Sequence, residues 1–194
     1  SGKTSVYLKL IDEALATQPQ KGAIVMVPEI SLTPAAVAIF KGRYGEKVAV
    51  FHSRLSMGER LDEFKRVKKG LATIVVGTRS AVFAPLEHIS LIVMDEEQEH
   101  TYKSESSPRF HARDVARFRA AHHNALLLLA SATPSVETMY KAKNGIYSLY
   151  TLQHRFGGRP LPEVEIVDMR EELKLGNDTS LSVPLRHRMI EARQ

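Results

Sequence analysis

The sequence predicts an α/β domain with a mostly parallel sheet flanked by helices, on three observations. Short runs of β-branched and aliphatic residues recur along the chain, helical segments separate them, and the runs do not alternate between apolar and polar residues. Strands of a parallel sheet are buried on both faces, so they appear in sequence as continuous apolar runs. Helices between such strands provide the crossover connections that parallel pairing requires.

Five apolar runs fit the strands of this sheet, at residues 23–27, 47–51, 72–77, 91–95 and 125–131. A helix is predicted before the first strand, because apolar residues from Tyr7 to Leu15 recur on one helical face and the pattern stops at Gln18. Another helix is predicted from Ser56, since Glu59 follows it at the spacing of a capping box.

The pattern changes beyond about residue 145. Two shorter strands are predicted at 147–152 and 164–168, and a last helix is predicted from Pro184. We therefore expect residues 1–145 to form a main lobe, and residues 146–194 to form the end of that lobe and a connector toward a second lobe.

The composition is that of an ordinary globular domain. The 194 residues are 43% hydrophobic, and 27 basic against 22 acidic residues give a formal net charge of +5, which favours polyanionic partners only weakly. The absence of cysteine excludes disulfides, thiolate zinc sites and cysteine nucleophiles in this chain. The longest apolar run, 125–130, is far shorter than the roughly 20 residues that cross a bilayer, so no membrane partner is expected.

The chain begins with Ser1, Gly2, Lys3 and Thr4 directly before the first predicted helix. This is the second half of a phosphate-binding P-loop, in which backbone N–H groups and the lysine bind nucleotide phosphates and the threonine hydroxyl binds magnesium. Taken alone, four such residues are also compatible with a polar sequence that caps a helix.

An acidic cluster follows the fourth predicted strand and supports the nucleotide interpretation. Asp95, Glu96, Glu97 and Gln98 come directly after the strand, where crowded carboxylates repel one another unless a cation lies between them. Asp95 is expected to bind magnesium, and Glu96 to orient and deprotonate an attacking water. The alternative is that these acids are the N-terminal charges of a following helix.

Hydroxyl side chains follow the fifth predicted strand. Ser131 and Thr133 are placed to sense the γ-phosphate of a nucleotide, whereas the alternative is that they cap a helix before or at Pro134.

Seven short blocks occur in order along the chain: Ser-Gly-Lys-Thr at 1–4, Val-Pro-Glu-Ile-Ser-Leu-Thr-Pro at 27–34, Phe-His-Ser-Arg-Leu-Ser at 51–56, Gly-Thr-Arg-Ser-Ala at 77–81, Asp-Glu-Glu-Gln at 95–98, Arg-Phe-His-Ala-Arg-Asp at 109–114 and Ser-Ala-Thr-Pro-Ser at 131–135. This ordered set resembles the PriA family of replication-restart DNA helicases (primosomal protein N′), in helicase superfamily 2. The resemblance covers essentially the whole chain, and the blocks at 27–34 and 109–114 are specific to that family.

The resemblance implies the first RecA-like P-loop NTPase lobe of an ATP-dependent 3′-to-5′ DNA helicase with a DEAH-like box. It assigns catalytic roles to Lys3, Asp95 and Glu96, and magnesium to Thr4 and Asp95. The residues it places against ATP are Ser1, Gly2, Lys3, Thr4, Gln98, Ser131 and Thr133.

The resemblance also implies a track for single-stranded DNA. Its first part is formed by small, hydroxyl and basic residues that suit phosphate contacts: Pro28, Ser31, Thr33, Thr78, Arg79 and Ser80. Thr33 has a second interpretation as the N-cap of a helix that begins at Pro34.

Residues 101–119 interleave aromatic side chains with cations, a pattern that suits stacking on bases and neutralisation of phosphates. In the family this is an aromatic-rich loop that reports DNA occupancy to the ATP site. The DNA contacts expected here are Tyr102, Arg109, Phe110, His111 and Arg113. The alternative is a surface loop that leads into a helix with Val115 and Phe118 in the core, and for Phe118 we favour the core position.

Two residues depart from the usual family pattern, Gln98 in place of His and Ser5 in place of an acid. Gln98 keeps the ability to hydrogen-bond but cannot become a cation. The strand and glycines of a P-loop do not precede Ser1 here, and a hole at that position would expose apolar neighbours. A second lobe, which in the family supplies an arginine finger and cysteine zinc sites, is not in this chain, so we expect no zinc here. By itself the chain should hydrolyse ATP weakly and unwind nothing.

The family also implies partners and a location: single-stranded and forked DNA, single-strand binding protein, and primosome or helicase-loader proteins, in the nucleoid-associated bacterial cytoplasm. Two alternatives stay open at this stage. One is another superfamily 2 motor, such as an RNA helicase or a restriction translocase, and the other is a non-catalytic scaffold that binds partner proteins.

Overall fold

The computed structural model describes residues 2–152 and 164–192, and the chain forms two compact units, Ser1–Gln153 and His154–Gln194. The first unit contains the five predicted strands: β1 (Gly22–Met26), β2 (Val48–Phe51), β3 (Ile74–Gly77), β4 (Ile89–Asp95) and β5 (Leu126–Ala130). All are parallel and lie in the order β2-β3-β1-β4-β5. The predicted fold class is therefore confirmed.

Five helices connect and cover these strands: α1 (Lys3–Thr17), α2 (Pro34–Tyr44), α3 (Met57–Lys68), α4 (Ala112–His123) and α5 (Val136–Lys143). Side chains of α1 and α2 pack on one face of the sheet, and the apolar face of α4 packs on the other. Successive strand residues therefore enter opposite cores, as Ile24 and Val25 do, which explains why the strands appear as unbroken apolar runs.

Helix starts follow the capping chemistry that the sequence suggested. Ser56 and Glu59 form a complete capping box at the start of α3. The Thr33 hydroxyl accepts a hydrogen bond from the Ala36 backbone at 3.2 Å, so the N-cap interpretation of Thr33 is confirmed. At α5 the cap is Ser135, whereas Ser131 accepts a bond from the Thr133 backbone in the preceding loop.

The two edges of the sheet differ. At β2 the Glu63 carboxylate accepts the Val50 backbone N–H at 2.9 Å, and Arg66 ion-pairs with Glu63, so side chains of α3 cover this edge. At the other edge, Leu126 is exposed and the remaining side chains of β5 are only partly buried.

One core prediction is wrong. Phe118 lies on the outer face of α4 and is 72% exposed. The buried face of α4 consists of Ala112, Ala116 and Ala120, which are spaced four residues apart, and position 118 therefore points away from the sheet. Val115 packs partly against the core, as predicted.

The two short strands predicted near the end of the chain are also wrong. Residues 147–152 and 164–168 have no regular secondary structure, and no strand among the described residues pairs with them. An apolar run forms a strand only when a neighbour accepts its backbone hydrogen bonds, and the Ile166 side chain is 93% exposed.

The described residues of the second unit form α6 (Met169–Lys174) and α7 (Val183–Glu191). Helix α7 is the one predicted from Pro184 and begins one residue earlier. The buried Asn177 amide connects them by donating to Glu172 at 2.6 Å and to the Leu181 carbonyl at 2.9 Å. Along residues 2–152 and 164–192, every helix is too short or too polar to cross a membrane.

The carboxyl ends of all five strands lie on one side of the sheet, because parallel strands share a direction. The segments that carry the expected site residues follow β1, β3, β4 and β5 and therefore emerge on this side, the usual place for ligands in such folds. Gly77 ends β3 on this side, and a Cβ atom there would overlap the carbonyl oxygen of Phe51 in β2. The turn into residues 78–80 therefore requires glycine, which has no Cβ atom, at position 77.

We predict that Gly77→Ala lowers the free energy of unfolding by about 1–3 kcal/mol, because the added methyl forces β2 and β3 apart. Gly58→Ala is the matched control, since open space surrounds Gly58 in α3, and it should leave stability unchanged or raise it by up to about 1 kcal/mol. Urea unfolding followed by circular dichroism measures both, and equal midpoints for the two variants would contradict the close packing at Gly77.

Candidate functional site

The first residue of α1 meets the acidic turn that follows β4. The Lys3 ammonium contacts the Glu96 carboxylate and lies 3.3 Å from Oδ1 of Asp95, and its side chain is 14% exposed. The structure thus brings together the two charged motifs that the sequence predicted as one site, although they lie more than ninety residues apart.

Charge compensation in this cluster changes the pKa values of its members. Burial by itself lowers the pKa of Lys3, but its hydrogen bond to Glu96 and the charge of Asp95 outweigh burial and raise it. Burial by itself raises the pKa of Glu96, but hydrogen bonds from Lys3 and Gln98 lower it below the ordinary carboxyl value. Glu96 is therefore ionised at neutral pH and able to accept a proton.

Two buried tyrosines hold Asp95 from opposite sides. The Tyr7 hydroxyl donates to Oδ1 of Asp95 at 2.7 Å, and the Tyr102 hydroxyl donates to the Asp95 backbone carbonyl at 2.6 Å. Burial raises the pKa of both phenols, and the neighbouring Asp95 charge raises it further. Both hydroxyls therefore remain protonated donors.

These tyrosines change two conclusions drawn from the sequence. The sequence pattern identifies Tyr7 only as an apolar helix position. Its place one turn after Lys3 is the sequence signal for a role beside the phosphate-binding residues. Tyr102 was expected to contact DNA, but only 1% of it is exposed, so it presents no ring face to a base. Its hydroxyl positions Asp95 instead.

The turn after β4 has a conformation that few residues adopt. Glu96 has a φ of 46°, in the left-handed region, and such strained positions concentrate at functional sites. A polar chain leads from Glu96 to the loop after β5, since Gln98 donates to Glu96 at 3.1 Å and the Ser131 hydroxyl donates to Gln98 at 2.6 Å. The expected nucleotide residues Glu96, Gln98 and Ser131 thus form one connected set.

The remaining expected nucleotide residues lie around this set. Gly2 caps α1, the Thr4 and Thr133 side chains are exposed, and Ser1 lies outside the described residues. In residues 2–152 and 164–192, no group of three or more histidine or carboxylate side chains is arranged to hold a metal. Thr4 and Asp95 offer two hard oxygen donors, and this donor set fits magnesium, which keeps several waters and takes its remaining ligands from substrate phosphates.

Glu97 is the most deeply buried charge of the acidic turn, with 1% of its side chain exposed. It accepts the Ser135 backbone N–H at 2.7 Å and the Thr138 hydroxyl at 3.0 Å, and it ion-pairs with Arg113 at 3.1 Å. Arg113 was expected to contact DNA, but its side chain is only 16% exposed and its guanidinium faces this cluster. Sequence reasoning assigned Glu97 no role of its own, because burial of a carboxylate leaves no local pattern.

All three segments expected to line a nucleic-acid track contribute to a cleft of about 490 Å³ at the carboxyl ends of the strands. Glu29 lines it from residues 28–33, and Thr101 and Tyr102 line it from the loop after β4. Thr78, Arg79 and Ser80 line this cleft, and Ser80 is exposed while Thr78 is nearly buried. The Arg79 guanidinium donates to the backbone carbonyls of Thr101 at 3.3 Å and Lys103 at 2.7 Å. Arg79 therefore connects residues 78–80 to the loop that follows β4.

The expected contacts after β1 differ in accessibility. Pro28 is buried, Ser31 is partly exposed, and Thr33 is exposed but engaged as the cap of α2. Only Ser31 and Thr33 can reach a nucleic-acid backbone in this arrangement.

The loop at residues 103–111 is closed at its base. Lys103 pairs with His111 in one antiparallel bridge, and the Ser104 backbone donates to the Phe110 carbonyl at 2.8 Å. Arg109 is exposed on this loop, whereas Phe110 packs edge-on against Phe83 with ring centroids 4.9 Å apart. Of the aromatic and basic contacts expected here, Arg109 has the most accessible side chain.

His111 joins this loop to α4. Its Nδ1 accepts the Arg113 backbone N–H at 3.1 Å and caps the helix. Burial lowers the pKa of His111, and the Arg113 charge lowers it further, so the ring is neutral at physiological pH and keeps its capping lone pair.

Comparison with known proteins gives consistent matches. The model of the DEAD/DEAH box helicase family matches residues 1–142. The chain is 50% identical to the replication restart protein PriA of Bacillus subtilis over 191 residues, which are 98% of the chain. It is 45% identical to the replication restart protein PriA of Synechocystis over 187 residues, which are 94% of the chain. It spans about a quarter of the length of these relatives, 24% and 22%. Among solved structures, the Pyrococcus furiosus Hef helicase domain is 17% identical with a TM-score of 0.48; the match covers 73% of this chain and 28% of that one.

We predict a pH-dependent stability contribution from the Glu96 carboxylate. Its lowered pKa means that this contribution is complete above the ordinary carboxyl value of 4.5 and is lost as the pH falls through the lowered pKa. The difference in melting temperature between wild type and Glu96→Gln should therefore be constant near neutral pH and shrink in acid. Glu13→Gln, on the exposed face of α1, is the control. A Glu96→Gln difference that begins to shrink above the ordinary carboxyl value of 4.5 would contradict the lowered pKa and the ion pair with Lys3.

Proposed function

The chain belongs to the DEAD/DEAH box helicase family, and from that premise we propose that it is the ATP-binding motor lobe of a 3′-to-5′ DNA helicase that restarts replication at stalled forks. The observation that carries the proposal is the contact of Lys3 with Asp95 and Glu96 at the carboxyl ends of the strands. The similarity to PriA proteins over nearly the whole chain supports the choice of DNA restart over other helicase reactions.

Binding of ATP begins with an exchange of partners by Lys3. Its ammonium neutralises two carboxylates, and nucleotide phosphates carry enough negative charge to compete for it. The N–H groups at the start of α1 and the helix dipole favour the same anion. When Lys3 turns to the phosphates, Glu96 loses a partner while it is still ionised.

The freed Glu96 carboxylate is then able to orient and deprotonate the attacking water. Tyr7 and Tyr102 keep Asp95 in place during this exchange, because neither depends on Lys3 for its hydrogen bond. Thr4 and Asp95 would hold magnesium, which neutralises phosphate charge when bound.

The structural change caused by hydrolysis is transmitted to the rest of the lobe through hydrogen bonds. Gln98 contacts Glu96 on one side and Ser131 on the other, so a change at the γ-phosphate moves the loop after β5. The amide of Gln98 transmits such a change by hydrogen bonding, without the positive charge that a histidine could carry there.

The nucleic-acid partner is single-stranded DNA, held on the same side of the sheet. Exposed hydroxyls of Ser31, Thr33 and Ser80 and the Arg109 guanidinium suit contacts to phosphates, which give affinity without sequence preference. In this proposal residues 1–145 are the motor lobe and residues 146–194 lead toward a second lobe. Forked DNA, single-strand binding protein and primosome proteins would be its partners in the nucleoid of the bacterial cytoplasm.

ATP turnover tests the catalytic assignment. In the longest natural protein that contains this chain, we expect single-stranded DNA to stimulate ATP hydrolysis, and Lys3→Ala and Glu96→Gln each to lower it by about 100-fold or more. Lys9→Ala, an exposed lysine on the same helix, should retain wild-type turnover. The isolated 194 residues should hydrolyse ATP weakly.

Two results would change this conclusion. Absence of turnover in the wild-type protein, with the fold intact, would favour a scaffold that binds partner proteins. Stimulation by RNA in place of DNA would favour another superfamily 2 motor.

Salt-dependent binding tests the nucleic-acid face. Arg109→Ala should weaken binding of a fluorescent single-stranded oligonucleotide and reduce the slope of log affinity against log salt by about 0.7, the value for one lost phosphate contact. Arg117→Ala, exposed on α4, is the control and should leave the slope unchanged. Equal slopes for wild type and Arg109→Ala would show that Arg109 makes no phosphate contact and that the 103–111 loop is not part of the DNA-binding surface.

A further inference from the structure

A group of basic residues lies at the amino ends of the strands, on the side of the sheet opposite the candidate site. Lys21 precedes β1 and His88 precedes β4, and they are neighbours because the Gly22 backbone N–H donates to the His88 carbonyl at 2.9 Å. Helix α4 ends at His123, close to the start of β5, which pairs with β4. The amino-end patch, as we call this group, consists of Lys21, His88, Arg119, His122 and His123.

Basic groups from three parts of the chain surround the His123 imidazole. Burial lowers the pKa of His123, and the charges of four basic neighbours lower it further. These neighbours are Arg119, His122, His88 and Lys21. Glu87, which is exposed beside His88, is the acid adjacent to the patch in sequence. Bases held this closely favour an anion between them, because the anion reduces their mutual repulsion.

Arg119 is a partly buried guanidinium whose partners among the described residues are all carbonyl oxygens. It donates to the carbonyls of Val82 at 2.6 Å, Ala84 at 2.9 Å and Leu86 at 3.4 Å. Carbonyls satisfy N–H donors but do not neutralise the charge. Burial lowers the pKa of Arg119, and no carboxylate among the described residues raises it again. Three of its five N–H donors are used, so two remain for an anionic ligand.

An exposed aromatic pair adjoins the patch. Phe118 and His122 lie one helical turn apart on α4, with ring planes within 6° of parallel and centroids 6.3 Å apart, and His122 meets His123 edge-on at 5.0 Å. At about 100° per residue, positions 118, 119 and 122 share one flank of α4, whereas Arg117 lies on the opposite flank. Exposed rings beside cations suit nucleic acid better than an acidic peptide, because bases stack on the rings while phosphates meet the cations.

We propose that the amino-end patch binds phosphates of a second segment of DNA and that Phe118 stacks on an unpaired base of this segment. The segment is separate from the DNA held at the carboxyl ends, because β1 is five residues long and about 17 Å of sheet therefore lies between the two sides. A forked DNA has several arms, so one molecule can occupy both sides. The inference rests on the proposed function for the identity of the nucleic acid.

Two fluorescent DNAs distinguish the two sides in the longest natural protein that contains this chain. One is a single strand of about eight nucleotides, within the length that a single-strand site covers, and the other is a fork with single-stranded arms. We expect Lys21→Gln to reduce the slope of log fork affinity against log salt by about 0.7 to 0.9, the value for one lost phosphate contact, and to leave the slope for the short strand unchanged. Arg117→Gln, on the other flank of α4, is the control and should change neither slope. Equal fork slopes for wild type and Lys21→Gln would overturn the proposal.

Replacement of the exposed ring distinguishes nucleic acid from other anions. Phe118→Ala should weaken fork binding by at least about fivefold, because a stacked base contributes at least that much to affinity, and should leave binding of the short strand unchanged. Unchanged fork affinity in Phe118→Ala, together with a reduced slope in Lys21→Gln, would show a surface that meets charge without a base. The occupant would then be an acidic protein segment, and the proposal fails.

The histidines of the patch give the binding a pH dependence of known sign. A bound phosphate favours the charged imidazole, whereas burial and the basic neighbours favour the neutral one in the free protein. Fork affinity should therefore rise as the pH falls from about 7.5 to about 6, and His122→Gln/His123→Gln should show a smaller rise. His52 and His111 are present in both proteins and do not account for the difference. An equal rise in both proteins would contradict phosphate contact by the patch.

Failure of this inference is distinguishable from failure of the proposed function. Wild-type protein that binds neither DNA would reject the proposed function, and this inference with it. Wild-type protein that binds both DNAs, with unchanged binding in every variant of the patch, would reject the amino-end patch alone.

Discussion

The ammonium of Lys3 between the carboxylates of Asp95 and Glu96 is the interaction on which the rest of the site depends. Two acids at the carboxyl end of a buried strand repel each other, and the lysine is the nearest positive charge. The start of α1 is thereby fixed over the end of β4. In the proposed function Lys3 also binds the nucleotide phosphates, so binding would disrupt the interaction that organises the site.

Two tyrosine hydroxyls hold Asp95 independently of Lys3. Tyr7 reaches the Asp95 carboxylate from α1, and Tyr102 reaches the Asp95 carbonyl from the loop after β4. Both are neutral donors, and neither bond involves Lys3, so in the proposed exchange Asp95 would keep both partners. Because Arg79 holds the carbonyls on either side of Tyr102, the cleft lined by residues 78–80 is connected to Asp95 by backbone and hydrogen bonds alone.

The residues first expected at the nucleic-acid face divide into two groups by burial. Arg109 and Ser80 are exposed and can meet a phosphate, whereas Tyr102 and Arg113 are turned inward. Aromatic and basic residues suit DNA contacts by composition, but the same chemistry serves a buried hydrogen bond or ion pair. Local sequence does not distinguish the two uses, because burial depends on which distant segments pack above a residue.

The sequence by itself determined the five strands, because their apolar runs are those of strands buried on both faces. It also determined the meeting of Lys3 with Asp95 and Glu96, because a P-loop lysine and an acid-ended strand are both needed in one nucleotide site. Only the tertiary structure decided that Tyr7 holds Asp95, that Glu97 binds Arg113 and that Phe118 faces solvent. Periodicity limits which face of a helix is apolar, but the choice of alanines at 112, 116 and 120 as the buried face of α4 came from how closely it packs on the sheet. Pairings between distant side chains depend on the folded distance between them, and no local pattern records it.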